Sequence, residues 1–277
     1  MQEYDTLCFS GGGTACVSFL GALKYIEANT NIRVKNIKNF AGTSAGAIIG
    51  LFLLLGYDVN NLIKFVTKFN FNKLFTKINI DNILSNKGLD NGNKIKKMVS
   101  YFIFKKLNVT DITFEELYQL TNKKLLVSGT NYTLYKEELF SIDTTPTMSV
   151  LLAIRISISL PIFFTPVYYN NSYYFDGAII NNIPLSYCNE KTTLGLFIKS
   201  TKKLKLTQSL YGLLEVMMRC FSIAINAKYA NINHTNIIII NPDFDLPVHI
   251  DNDPNKTKTL IKAGVLGVKN FLLNKNL

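Results

Sequence analysis

The sequence predicts an α/β fold, a central and mainly parallel sheet flanked by helices, with a nucleophile carried on a strand-to-helix turn. Three observations predict it. Short β-type runs alternate with apolar helical stretches, the pattern of strands joined by crossover helices. Three consecutive glycines, Gly11 to Gly13, stand between the first such run and the first helix. A second strand-to-helix junction carries GTSAG, Gly42 to Gly46.

Taken in order, Thr6 to Ser10 reads as the first strand, followed by the glycine loop and an apolar helix from about Ala15 to Ala28. Ile37 to Ala41 gives a second short strand, and GTSAG leads into a further apolar helix ending near Gly56. Helices this apolar pack inside, against a sheet. Asp58 to Phe104 reads as helical and basic, broken around Lys87 to Asn91. Lys124 to Tyr132, Tyr135 to Phe140 and the aromatic run Tyr168 to Phe175 read as strands, as do Thr193 to Ile198 and Asn236 to Ile240. Pro146 to Ser159 suits a helix with its proline near the first turn. Leu210, Leu213, Leu214, Met217, Phe221 and Ala224 follow helical spacing, as do Leu260, Ile261, Val265, Val268 and Leu272; both stripes read as core packing.

The 277 residues suit one large domain over 1–277, with no Pro/Gly/Ser-rich linker, repeat or low-complexity tract to divide it. The motif-bearing core runs from about 4 to 200, and further helix and strand elements occupy 207–277. Hydrophobic residues at 48% and charged residues at 18% exclude a disordered chain. Cys8, Cys16, Cys188 and Cys220 form no CxxC pair and have no metal spacing with His234 and His249, so they read as reduced, buried thiols in an intracellular protein and no metal site is expected. The N-terminus lacks the basic and apolar regions of a secretory signal, and the most apolar run, Ala45 to Leu55, is too short to span a bilayer. A soluble, cytoplasmic protein is expected, and oligomeric state is not readable.

The net charge of +11 is unevenly placed. Lysines 64, 68, 73, 77, 87, 94, 96, 97, 105 and 106 face only Asp81 and Asp90 across that segment. In KFVTKFNFNKLFTKINI they interleave with Phe65, Phe69, Phe71, Leu74, Phe75, Ile78 and Ile80. Such a stretch is either a solvated lysine face over a core-facing apolar one, or an interfacial surface drawn to anionic lipid. No reader motif for nucleic acid accompanies it.

Gly11 to Thr14 opens a helix, where free N–H groups and the dipole favour negative charge. The dinucleotide pattern fails at Cys16 and the phosphate loop's G-K-[ST] ending is missing, which argues against a nucleotide. In a G-x-S-x-G turn the serine sits on a sharp bend that exposes its hydroxyl, making Ser44 a candidate nucleophile with Gly42 and Gly46 as the small flanking residues. The same five residues also form ordinary turns, but here a strand precedes and an apolar helix follows. Its base is His234 or His249, in an order that formally fits a triad with Asp176, or Asp176 alone in YYFDGAIINNIPL. Asp-Gly is also a common plain turn. The aromatic run before it could desolvate the carboxylate and raise its pKa, which makes a Ser–Asp pair physically possible. Arg155 in RISIS reads as a paired arginine organising a loop near the site, and otherwise as a helper for an anionic substrate.

GGG at Gly11 to Gly13, GTSAG with Ser44 and DGA with Asp176, in that order, resemble the patatin-like phospholipases. So do Ile112 to Asn131, Arg155 to Val167 and Asp176 to Leu185. The similarity is clear from about Tyr4 to Leu185 and weak in the C-terminal third. It implies hydrolysis of acyl esters of phospholipids or other lipids by Ser44 as nucleophile and Asp176 as base, without histidine or a metal cofactor. It also implies an oxyanion loop at Gly11, Gly12, Gly13 and Thr14, whose N–H groups hold the developing charge. The expected partners are the lipid substrate and, peripherally, an anionic membrane surface. This chain departs from the family's G-G-G-x-Arg/Lys-G at Ala15 and Cys16, where a Cβ distorts the loop if positive φ is required. The departure leaves open a relative that binds lipid or membrane with weak turnover or none.

Overall fold

The computed structural model describes residues 3–74, 85–199, 210–229, 235–242 and 254–275. An eight-stranded sheet organises them. Its strands are β1 (Thr6–Phe9), β2 (Asn39–Thr43), β4 (Lys124–Asn131), β5 (Lys136–Phe140), β7 (Val167–Tyr169), β8 (Ser172–Asp176), β9 (Thr193–Ile198) and β10 (Ile237–Ile240). The order is β10-β9-β1-β2-β4-β8-β7, with β5 also paired to β4. The five strands from β10 to β4 run parallel, while β5, β7 and β8 add antiparallel pairs at one side. A small second sheet pairs β3 (Gly88–Asp90) with β6 (Ile162–Phe164).

Eight helices complete the described residues: α1 (Val17–Asn29), α2 (Ala45–Leu54), α3 (Val59–Lys68), α4 (Asn93–Leu107), α5 (Phe114–Thr121), α6 (Val150–Ser157), α7 (Leu210–Lys228) and α8 (Pro254–Lys275). One face of the sheet presents Leu7, Phe9, Phe40, Val127, Leu196 and Ile240, all essentially inaccessible, to a core shared with α1, α2, α6 and α8. On the other face Cys8, Ala41, Ile183, Phe197 and Ile237 make a smaller cluster. The side-chain period of two along each strand divides these sets.

Several elements depart from expectation. The second strand lies two residues further on, Asn39–Thr43, because Val34–Asn36 forms a 3₁₀ turn and the amides of Lys38 and Asn39 both donate to the Asp5 carbonyl. The first helix starts at Val17, behind a 3₁₀ turn over Gly13–Cys16. The aromatic run 168–175 is a hairpin, folded at Asn170 and Asn171, whose φ of 43° and 58° suit a tight turn that asparagine tolerates. Pro146 lies outside its helix: α6 begins after Ser149, whose hydroxyl accepts the Leu152 amide as an N-cap, and Pro146 instead accepts the Glu115 amide. The break at 87–91 holds β3. Cys220 is exposed, not buried, and Ala224 on α7 is exposed as well, so that helix is not wholly core. The side chains of Leu210, Leu213, Leu214 and Met217, together with Lys77, Phe75, Ile78 and Ile80, lie outside the described residues.

Candidate active site

Strand register brings the motifs together. Phe9 of β1 pairs with Gly42 of β2, and Thr43 pairs with Ser128 of β4. Gly129, the next residue of β4, pairs with Asp176 at the end of antiparallel β8. The glycine loop, Ser44 and Asp176 therefore leave neighbouring strands at one edge of the sheet, the carboxyl edge of its parallel part.

Ser44 is the residue between β2 and α2, with φ 56° and ψ −131°, a conformation that an L-residue holds only under constraint. Gly46 lets α2 start close against β1: a Cβ there would lie 2.3 Å from the Ser10 carbonyl oxygen. Gly42, the penultimate residue of β2, faces the start of the same helix, where a Cβ would meet the Ala47 amide nitrogen at 2.7 Å. The Ser44 amide donates to Ser157 Oγ at 2.8 Å.

Asp176 is 2% exposed. Burial pushes its carboxyl up to about 7, against the lowering effect of the Ala178 amide hydrogen-bonded to it and of the neighbouring Ser44 hydroxyl. Its Oδ1 accepts the Ala178 amide at 2.9 Å. Its main chain is held on both sides, the N–H by the Ser159 carbonyl at 2.9 Å and the C=O by Thr130 Oγ1 at 2.9 Å. Both histidines that could have served as base, His234 and His249, lie outside the described residues.

The glycine loop divides in two. Gly11 donates its amide to the Asn182 carbonyl at 3.0 Å, so this member of the expected oxyanion loop is already satisfied. The amides of Gly12, Gly13 and Thr14 donate to no acceptor among the described residues. Gly13 has φ 54°, a value glycine adopts without cost. Cys16 sits at φ −60° and ψ −16°, ordinary helical backbone, and its thiol points to the Ser10 carbonyl at 3.6 Å. The loop therefore accommodates this departure without distortion.

A cavity of about 280 Å³ opens beside these groups. Gly12, Ser44, Asp176 and Asn182 form its polar end, and Phe52, Leu62, Phe65, Ile95 and Met98 line its apolar part. Among the described residues Asp176 is its one charged lining side chain. Phe65, Val66, Phe71 and Leu74, from the lysine-rich stretch, are cavity wall. Phe221, expected in the core, is cavity wall as well. Arg155 stays outside the cavity and is consumed by its own chain, as described below.

Four participants carried no sequence signal of their own. Ser157, Ser159 and Thr130 act through hydrogen bonds that only register and the turn after α6 create, and Asn182 arrives through its contact with Gly11. The INNIP segment after Asp176 was the available clue to Asn182.

An α/β sheet with a serine on a strand-to-helix elbow and a buried carboxyl lining the same apolar cavity has the layout of a serine hydrolase-type site. The patatin-like phospholipase family matches residues 7–188, more than half of the chain, and the protein belongs to that family. The probable lipid hydrolase 463L of Invertebrate iridescent virus 6 is 35% identical over 202 residues, covering 69% of this chain and 66% of that protein. The uncharacterised protein R571 of Acanthamoeba polyphaga mimivirus is 29% identical over 187 residues, covering 67% and 61%. The chain thus spans slightly less than two thirds of the length of these relatives. Two solved bacterial structures share the fold. VipD from Legionella pneumophila aligns with 98% of this chain and 67% of its own at a TM-score of 0.72 and 17% identity. ExoU from Pseudomonas aeruginosa, in its complex with SpcU, aligns with 98% and 53% at 0.56 and 16%.

Proposed function

We propose that the protein hydrolyses acyl-ester bonds of lipids, with Ser44 as nucleophile and Asp176 as its base. The observation that carries this reading is the placement of Ser44, on its strained elbow, and of the buried Asp176 carboxyl, raised to about 7, at the polar end of one apolar cavity. A serine attacks only when something takes its proton, and a base of that pKa is matched to neutral pH. The acyl chain lies in the apolar cavity. Ser44 Oγ attacks the ester carbonyl as Asp176 takes the hydroxyl proton. The carbonyl oxygen becomes an oxyanion held by the free amides of Gly12, Gly13 and Thr14. Collapse expels the alcohol, which recovers the proton from Asp176. Water, activated by the same carboxylate, then releases the fatty acid and restores Ser44. Each oxyanion donor contributes a few kcal/mol to lowering the barrier.

The test is fatty-acid release from mixed phospholipid vesicles by the wild-type protein, Ser44→Ala and Asp176→Asn, with labelling of Ser44 by a serine-reactive phosphonate. Release by the wild type alone, with a labelled Ser44, supports the reading. A wild-type protein that binds vesicles but neither labels nor releases would identify the other reading, a lipid-binding relative without turnover.

The basic segment supports a peripheral contact with anionic membrane. Residues 59–74 and 93–107 contain no acidic side chain, and Lys64, Lys68, Lys73, Lys94, Lys96, Lys97, Lys105 and Lys106 are exposed. On α4, Lys94, Lys97, Tyr101 and Lys105 follow helical spacing on one exposed stripe, with Lys105 Nζ 5.4 Å from the Tyr101 ring centre. Cation and aromatic side chains so arranged suit the charged and apolar layers of a bilayer interface.

A further inference from the structure

We infer that Ser157 is a positioning residue for the nucleophile, and that the turn Arg155–Ser159 sets the geometry of the two reacting groups together. The inference rests on the Ser–Asp reading for its catalytic meaning, and on the hydrogen bonds alone for its structural one.

Ser44 is held at φ 56° and ψ −131°, and a constraint must supply what that backbone costs. The glycines on either side remove steric obstacles but supply no attraction. The Ser44 carbonyl accepts the Ala47 amide at 3.0 Å as α2 begins, and on the amide side the attraction comes from one bond, the Ser44 amide donating to Ser157 Oγ at 2.8 Å. Ser157 is fully buried, so water cannot substitute for its hydroxyl, and removing it leaves the Ser44 amide without its partner. Two residues on, the Ser159 carbonyl accepts the Asp176 amide at 2.9 Å. A single turn therefore touches the backbone of the nucleophile and of its base.

That turn is itself fixed. Arg155 is 8% exposed and makes no ion pair closer than 4 Å among the described residues. Its Nε donates to the Asn91 carbonyl at 2.8 Å, and Nη2 donates to the Thr165 carbonyl and hydroxyl at 2.8 and 2.9 Å. Nη1 donates to Ser159 Oγ, which in turn donates to the Arg155 carbonyl at 2.7 Å. Its planar fork ties the residues after β3 and β6 and the end of α6 into one piece, which a lysine could not do. The arginine acts through the turn and not on substrate.

The experiment compares wild type with Ser157→Ala in two readouts, the hydrogen-exchange rate of the Ser44 amide and the rate of phosphonate labelling, with KM for ester hydrolysis measured alongside. Misplacing a reacting group by about 1 Å costs up to roughly 100-fold in rate. The expected result is faster exchange at Ser44, labelling and kcat slowed about 10- to 100-fold, and unchanged KM. A merely structural role would lower the melting temperature and leave labelling of the folded protein unaltered, which would overturn the inference. Unaltered exchange at Ser44 would overturn it too. Should the wild type itself neither label nor hydrolyse, the hydrolase reading fails, and the exchange contrast alone then decides whether Ser157 holds the elbow. If Ser157→Ala does not fold, Ser157→Cys keeps the volume with a weaker acceptor. Intermediate rates in both readouts are then expected, and wild-type rates in both would refute the role.

Discussion

Asp176 carries a conflict between stability and chemistry. Its carboxyl titrates near 7 when folded and near 3.8 in an unfolded chain, because burial penalises the charged form. The folded state therefore holds the proton more tightly, and stability falls as pH rises from about 4 through about 7. Above that window the ionised carboxylate costs the fold up to roughly 4 kcal/mol. Asp176→Asn removes the charge while keeping an oxygen for the Ala178 amide, so it should be more stable than wild type at pH 8 and closer to it at pH 5. Denaturant titrations at both values check this, and equal stabilities at pH 8 would contradict it. Hydrolysis should run the other way. If Asp176 is the base, it works only when ionised, so kcat/KM should climb with pH and level off above about 7. A flat profile from pH 5 to 8 would remove Asp176 from the role of base.

At the scale of elements, the elbow depends on how closely α2 approaches β1. Gly46→Ala places a methyl group 2.3 Å from the Ser10 carbonyl oxygen, and since backbone lies on both sides, the helix has to move. A loss of about 1 to 3 kcal/mol is expected by chemical denaturation, with slower phosphonate labelling of Ser44. Cys16→Gly makes the opposite point. The family's usual glycine would gain nothing here, because Cys16 already has helical φ and ψ, and it would lose a buried side chain. Lower stability without faster turnover is expected, and a more active Cys16→Gly would mean the loop is strained after all. These elements also mark what was legible beforehand. The order of most strands and helices and GTSAG at a strand-to-helix turn could be read from residue type and period alone. The Asn170–Asn171 turn was hidden inside a continuous aromatic run, since Tyr and Phe satisfy a strand pattern on either side of it. Pro146 looked like a helix start because first-turn proline is common, yet the N-cap hydroxyl of Ser149 set the boundary. The occupied amide of Gly11 and the hydroxyl of Ser157 depend on partners 171 and 113 residues away, and no local pattern encodes such a distance.

For the whole molecule, the question is how the proposed lipid-ester site would meet a substrate that resides in a bilayer. Among the described residues no helix is long and apolar enough to cross a membrane. The uneven charge offers a means. Phe65 and Val66 of α3, which line the cavity, alternate with the exposed Lys64 and Lys68, so the surface that would be drawn to anionic headgroups is the back of the wall that would hold an acyl chain. Adsorption there would hold the cavity close to the lipid without inserting the protein. Each lysine near an anionic surface contributes about 1 kcal/mol, so replacing Lys94, Lys96 and Lys97 by Gln should weaken binding to phosphatidylserine-containing vesicles by up to roughly 100-fold. Binding to pure phosphatidylcholine vesicles should barely change. Raising salt should reproduce the effect on the wild type, because screening shortens the reach of exposed charge from about 10 Å at 0.1 M to about 3 Å at 1 M. Vesicle co-sedimentation with Ser44→Ala, which cannot degrade the lipid if Ser44 is the nucleophile, separates adsorption from turnover. Equal binding to both vesicle types at low salt would show that the lysines are only a solvated face, and that the protein reaches its lipid through apolar contact alone.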